Sequence, residues 1–381
     1  MRHILLLSLL YLTFQTSSFS QTEYIEVNSS ILKETRQIKL QLPRNYSSSQ
    51  KEYPVIIVLD GDYMFEPFAG NVDYLSYWEI IPESIVVGIN QAGFRDKDGQ
   101  IDSESELPVS TGADFFEFVG YEVLKYIDDN FRTTPFTIIA GIDYMANFSN
   151  FFLLKETPVF SGYINFSPDV TPKLPERLKR KLDKVKQKIW YYLATSEHDI
   201  HQLKIKTETL DSYLSICNNP NFNYKYRVFE NADHFSFVAD AIPSALLSIF
   251  STYGPISDYE YESDFLSSQS PANSLEDKYL TIQELYAIEV PIRIVDFLKT
   301  AEAIEELKLW EDYQNLSKLA RKEAPSTVLR NYFQGLYFEK IGEPNRAIKE
   351  YQAAYGLESA GYLNSEVLLG RADELKRIYG N

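Results

Sequence analysis

The chain has 381 residues, with 54 acidic against 37 basic side chains and a net charge of −17. That balance speaks against nucleic acid and anionic lipid as partners. The one cysteine, Cys217, excludes an intramolecular disulfide and a cysteine-built metal centre.

Arg2 is a positive n-region, Ile4 to Leu12 a short apolar run, and Ser18-Phe19-Ser20 a small-x-small cleavage signal before Gln21. Residues 1–20 therefore read as a secretory signal peptide, cut near Ser20/Gln21, with the mature protein periplasmic or secreted. No later stretch is long and apolar enough for a membrane span.

Residues 21–255 read as one α/β domain. Tyr24 to Leu42 alternates around Asn28-Ser29-Ser30 and predicts a β-hairpin. Pro54 to Leu59 and Ser84 to Ile89 are continuous apolar runs that predict buried strands, the first ending in Asp60-Gly61-Asp62. Phe115 to Asn130 predicts an amphipathic helix. Phe136 to Ala140 is another strand, and Gly141-Ile142-Asp143-Tyr144-Met145 follows it as a sharp turn into a helix. Val159 to Phe166, Lys188 to Ala194 and Tyr224 to Glu230 complete the strands. Strands alternating with helices predict a mostly parallel sheet with helices on both faces. Ligands of such sheets sit at the carboxyl ends of the strands, where Asp60-Gly61, Asn90, Asp143, Ser167, Glu197 and His234 would gather.

Residues 256–281 are rich in Ser, Asp, Glu and Tyr and predict a linker. Residues 282–381 have a helical pattern. Within them Gly335, Phe338, Gly342, Ala347, Tyr351 and Ala354 have tetratricopeptide spacing, and Ala320 marks a degenerate second repeat. So short an array predicts packing on the first domain or on a partner. The 28 tyrosines and 24 phenylalanines fill the core and sheet faces, or line a sugar- or aromatic-binding cleft.

A serine at position 143 would attack esters; here the residue is Asp143. His234, in the loop after the last strand, stands where a general base belongs. Glu197 and Asp199 follow the preceding strand, and either can orient the histidine. The backbone N–H groups of Gly61 and Tyr144 are the candidates for an oxyanion hole. The pattern calls for no cofactor and no metal.

These residues resemble the enterochelin-esterase and esterase-D-like α/β-hydrolases, in particular exported bacterial members with a C-terminal tetratricopeptide segment. The likeness rests on Pro54 to Gly61, Ile81 to Ile89, Arg95-Asp96, Gly112 to Asp128, Arg132-Thr133, Gly141, Ser167-Pro168 and Glu230 to Ser236. It implies the α/β-hydrolase fold, His234 as the family's histidine and Glu197 in the region of its acid. Family members read G-H-S-x-G-G at the elbow, and this chain has Asp143, Met145 and Ala146 at the serine and the two last glycines. Met145 and Ala146 are expected to hold the helix away from its strand and distort the turn. The leading expectation is therefore an impaired esterase homologue that binds an ester-like small molecule or a protein partner. The alternatives are a hydrolase using Asp143 and His234 on esters, alkyl halides or epoxides, and a scaffold acting through its helical tail.

Overall fold

The computed structural model describes residues 22–380. The expected signal peptide and its cleavage point lie outside them. Strands β1 (Thr22–Ser29), β2 (Glu34–Gln41), β3 (Tyr53–Val58), β4 (Ile85–Ile89), β5 (Thr133–Ile142), β6 (Gly162–Phe166), β7 (Ile189–His198) and β8 (Phe222–Asp233) form one sheet in the order β1-β2-β4-β3-β5-β6-β7-β8. The β1–β2 and β2–β4 pairs are antiparallel and all others parallel. The expected hairpin thus caps one edge of a parallel sheet.

The central strands β3, β4 and β6 and most of β5 and β7 are apolar because both of their faces are covered, while β1 and β8 at the two edges are polar and largely exposed. Val55, Ile57 and Leu59 enter one core, while Ile56 and Val58 enter the other, following the twofold alternation of a strand. The connecting helices are α1 (Gly61–Tyr77), the one-turn α2 (Arg95–Asp98), α3 (Thr111–Glu117), α4 (Leu124–Asn130), α5 (Asp143–Ser149), α6 (Leu174–Leu182), α7 (His201–Leu214) and α8 (Phe237–Ile249). A π-helical turn, Phe118–Val123, joins α3 to α4, so the amphipathic segment is continuous.

Where composition predicts a linker, the chain is helical. A one-turn helix at Asp258–Glu260 opens on a full capping box at Ser257, and α9 (Pro271–Tyr286) begins at the N-cap Ser270. Ala272, Leu275, Tyr279, Ile282 and Tyr286 form its buried stripe. Tyr286 is fully buried against Phe136, Trp190 and Phe250, with centroids 5.1, 5.8 and 5.3 Å away. Helix α9 therefore lies on the sheet and shares its core. Helices α10 (Ile294–Leu307), α11 (Asp312–Glu323), α12 (Leu329–Lys340), α13 (Pro344–Ala353) and α14 (Ser365–Tyr379) follow as antiparallel neighbours. Gly335 lies directly under the Tyr351 ring, so α12 and α13 approach as closely as the small residue allows.

Candidate active site

Six of the strand ends converge. Asp60 follows β3, Gln91 and Arg95 follow β4, Asp143 follows β5, Ser167 follows β6, Asp199 follows β7 and His234 follows β8. Four of these turns hold non-glycine residues at positive φ: Asp60 (52°), Asp143 (55°), Ser167 (43°) and Asn231 (54°). Such conformations cost about 1–3 kcal/mol each and persist only where surrounding packing enforces them. The turn at Asp143 is a strained strand-to-helix elbow, as the sequence predicts.

The elbow is also closed. A Cβ on Gly141 would sit 2.8 Å from the backbone carbon of Met145 and 2.9 Å from the nitrogen of Ala146, so helix and strand already touch there. This corrects the expectation that Met145 and Ala146 force them apart. Both side chains are fully buried and point into the core, and the sulfur of Met145 accepts a hydrogen bond from Gln91 Nε2 at 3.2 Å. The glycine that permits the close approach, Gly141, is present.

His234 is buried and held from both sides. Its Nδ1–H donates to Asp199 Oδ1 at 2.7 Å, and its Nε2 lies 3.5 Å from Asp143 Oδ1. The carboxylate against the histidine is thus that of Asp199 and not that of Glu197. The Glu197 carboxylate is half exposed and accepts from the backbone N–H of Asn231 at 3.0 Å. At the end of the β7–β8 pair two residues of β7, Ser196 to His198, pass four of β8, Phe229 to Asp233, and Asp199 follows the last residue of β7 under the ring. Asp199 also accepts from the Ser167 and Thr195 hydroxyls and from the Ile200 N–H at 2.7 Å. Burial acts to raise the Asp199 carboxyl, but the hydrogen bonds from His234, Ser167 and Thr195 outweigh it and hold it below the usual carboxylate range.

Asp143 and then Asp199 stabilise the imidazolium and push His234 up to about 9, against the opposing effect of burial. At neutral pH the ring is therefore charged, and both its nitrogens are donors. On the other side of Asp143, Arg95 Nη2 is 4.0 Å from Oδ2. The same guanidinium grips buried Asp60 through Nε and Nη2 at 2.8 and 3.1 Å. Burial raises the Asp60 carboxyl, and Arg95 only partly offsets this. The result is an alternating line of charge, Asp60, Arg95, Asp143, His234, Asp199.

Gly61 packs at the start of α1, where a Cβ would be 2.7 Å from the backbone of Gly88 and Ile89. Tyr144 stands in the first turn of α5, and its hydroxyl donates to the Gly99 carbonyl. Both residues open helices whose first N–H groups have no intrahelical acceptor, as an oxyanion hole requires. The Asp62 carboxylate is turned away from them, accepting from the N–H groups of Gln91 and Ala92 at 2.6 and 2.8 Å.

Sequence reasoning assigned no part in the site to Arg95 and Gln91. Gln91 is buried, accepts from the Asp60 N–H at 2.8 Å and donates to Asp98 at 3.1 Å, while Asp98 is gripped by Arg36. An Arg two turns after an apolar strand is the one available signal, and it is weak. Among the described residues, no group of three or more His, Cys, Asp or Glu side chains is placed to hold a metal ion.

A family model described as "Putative esterase" matches residues 29–242. No curated protein matches the chain. Among solved structures, the chain is similar to an uncharacterised protein from Capnocytophaga ochracea, at 24% identity and TM-score 0.82 over 94% of this chain and 100% of that one. It is also similar to an IroE-like serine hydrolase from Shewanella oneidensis, at 19% identity and TM-score 0.60 over 80% and 100%. A siderophore hydrolase, EstB, from Aspergillus nidulans matches at 17% identity and TM-score 0.51 over 61% and 96%. These likenesses show the fold, and the match to the family model spans the whole of the site. The chain belongs to this esterase family of α/β-hydrolases.

Proposed function

We propose that the protein is a non-hydrolytic member of the esterase family, exported, whose α/β domain binds a ligand at the strand ends without cleaving esters. One observation carries this reading: the Asp143 carboxylate lies between two cations, 3.5 Å from His234 Nε2 and 4.0 Å from Arg95 Nη2. A carboxylate is one atom longer than a serine hydroxyl, so its oxygens fill the space where an acyl group would be held. Its attack on an ordinary ester gives an anhydride that reverts. The charged imidazole beside it has no lone pair with which to take a proton.

The test is hydrolysis of an activated aryl acetate by the purified protein. Wild type should give no turnover above the rate in buffer. Asp143→Ser should raise the rate by at least about a hundredfold, since the elbow is already closed and His234 loses the main cause of its raised pKa. His234→Ala in the Asp143→Ser background should remove the gain. Robust wild-type hydrolysis that survives Asp143→Ala would overturn the proposal.

A second reading is supported by the intact His234–Asp199 pair behind the carboxylate. Asp143 would open an alkyl halide or epoxide by forming an ester to its own side chain. With the Asp143 charge gone, His234 would lose its proton and activate water. Halide release by wild type that is abolished in Asp143→Ala would place this reading first. The scaffold reading, with a tetratricopeptide-like tail as a partner surface, is weakened by the burial of α9 in the common core.

A further inference from the structure

A second cleft, of about 690 Å³, lies where the α/β domain meets the helical tail. Helix α1 begins at the strand ends with Gly61 and reaches this cleft with Tyr77. The first of its residues to line the cleft is Val72, so the helix sets the two sites about 16 Å apart. The cleft is therefore not part of the Asp143 site.

Its walls carry three cations, each matched by an acid. Arg44 holds Asp73 through a fork at 2.7 and 2.5 Å, Lys51 stands 3.6 Å from Glu83, and Arg293 Nε stands 3.3 Å from Glu79 Oε2. Arg293 is the anchor. Its side chain is 6% exposed, lies over the Tyr253 ring at 4.6 Å, and donates to the Glu79 carbonyl at 3.3 Å. Its Nε is buried beside the Glu79 carboxylate. At the mouth, Tyr77 and Trp78 are 61% and 59% exposed and meet edge to face at 5.2 Å. Tyr77 is backed by the Arg44 guanidinium at 5.1 Å.

These features select a chemistry by elimination. A strongly charged ligand gains little where every cation is already paired. An apolar ligand would bury the carboxylates and guanidinium groups against nothing that bonds them. An uncharged molecule dense in hydroxyls matches both, because planar carboxylate and guanidinium groups take neighbouring hydroxyls two at a time and exposed aromatic rings take its C–H faces. The volume lies within the range of ordinary small-molecule sites. We propose that this cleft is a binding site for a neutral oligosaccharide, seated on Tyr77 and hydrogen-bonded to Arg293, Arg44 and Glu79.

The experiment is calorimetric titration of the full chain with four uncharged tetrasaccharides, built from glucose, xylose, mannose and N-acetylglucosamine, alongside sodium sulfate as a charged control. At least one saccharide should titrate saturably and sulfate should not. Tyr77→Ala should weaken that binding about tenfold with no change in melting temperature, because the ring is exposed. Arg44→Ala should weaken it as well, and Asp143→Ala should leave it unchanged. The proposal is overturned if none of the four saccharides saturates. It is equally overturned if binding survives both Tyr77→Ala and Arg44→Ala, or if Asp143→Ala abolishes it.

Discussion

At the scale of single residues, the sequence order of Asp143 and His234 was enough to bring them together. Each follows a strand of a parallel sheet, and the ends of such strands share one edge. The choice between Glu197 and Asp199 was not readable. They are two residues apart, so simple alternation gives them the same face, but Glu197 is in β7 and Asp199 lies just past its last residue, where the alternation ends. The consequence for His234 is measurable. Its folded pKa is raised from 6.5 to about 9, so the stability gained is fully present below the unfolded value and is lost as pH rises through the folded one. Wild type should therefore lose stability to urea between about pH 6.5 and 9, and Asp143→Asn should lose less. An NMR titration of the imidazole checks the cause directly: in Asp143→Asn its midpoint should fall toward the ordinary histidine value. A midpoint unchanged by that substitution would mean Asp143 does not govern the ring.

At the scale of elements, the central strands were readable because both faces of the sheet are covered there, so β3, β4 and β6 are continuous apolar runs. Helix α9 was missed because two of the five positions of its buried stripe, Tyr279 and Tyr286, are tyrosines in a stretch otherwise rich in serine and acid. The spacing 272, 275, 279, 282, 286 nonetheless has helical periodicity, and Ser270-Pro271 is a helix-start signal. The elbow was misjudged for a different reason. The motif counts glycines, whereas the contact depends on one of them. Gly141→Ala should destabilise the protein by about 1–3 kcal/mol in a denaturant titration, since the added methyl meets the backbone of α5, which cannot step aside. The gain of up to about 1 kcal/mol that alanine has over glycine within a strand is too small to offset this. A neutral result would mean that the helix is free to slide on its strand. In the tail, Gly335→Ala drives a methyl into the Tyr351 ring and should likewise separate α12 from α13.

At the scale of the whole molecule, the sheet and the tail share one apolar core, which runs from Ile56 and Phe136 through Tyr286 to Phe333 and Leu375. They should unfold together. Differential scanning calorimetry of the mature chain should give a single transition, with calorimetric and van't Hoff enthalpies in agreement. Ending the chain at Gly254 should expose Phe136, Trp190 and Phe250 and yield a protein without a cooperative transition; a sharp melt from that fragment would show the sheet to be self-sufficient. The position of Tyr286 also sets an order of events during synthesis. The strands that meet its ring end at residue 198, yet the ring that covers them comes almost ninety residues later. For that interval Phe136 and Trp190, on a face otherwise covered by α1 and α8, lack the ring that closes over them. The tail thus acts as the late-arriving cover that closes the fold.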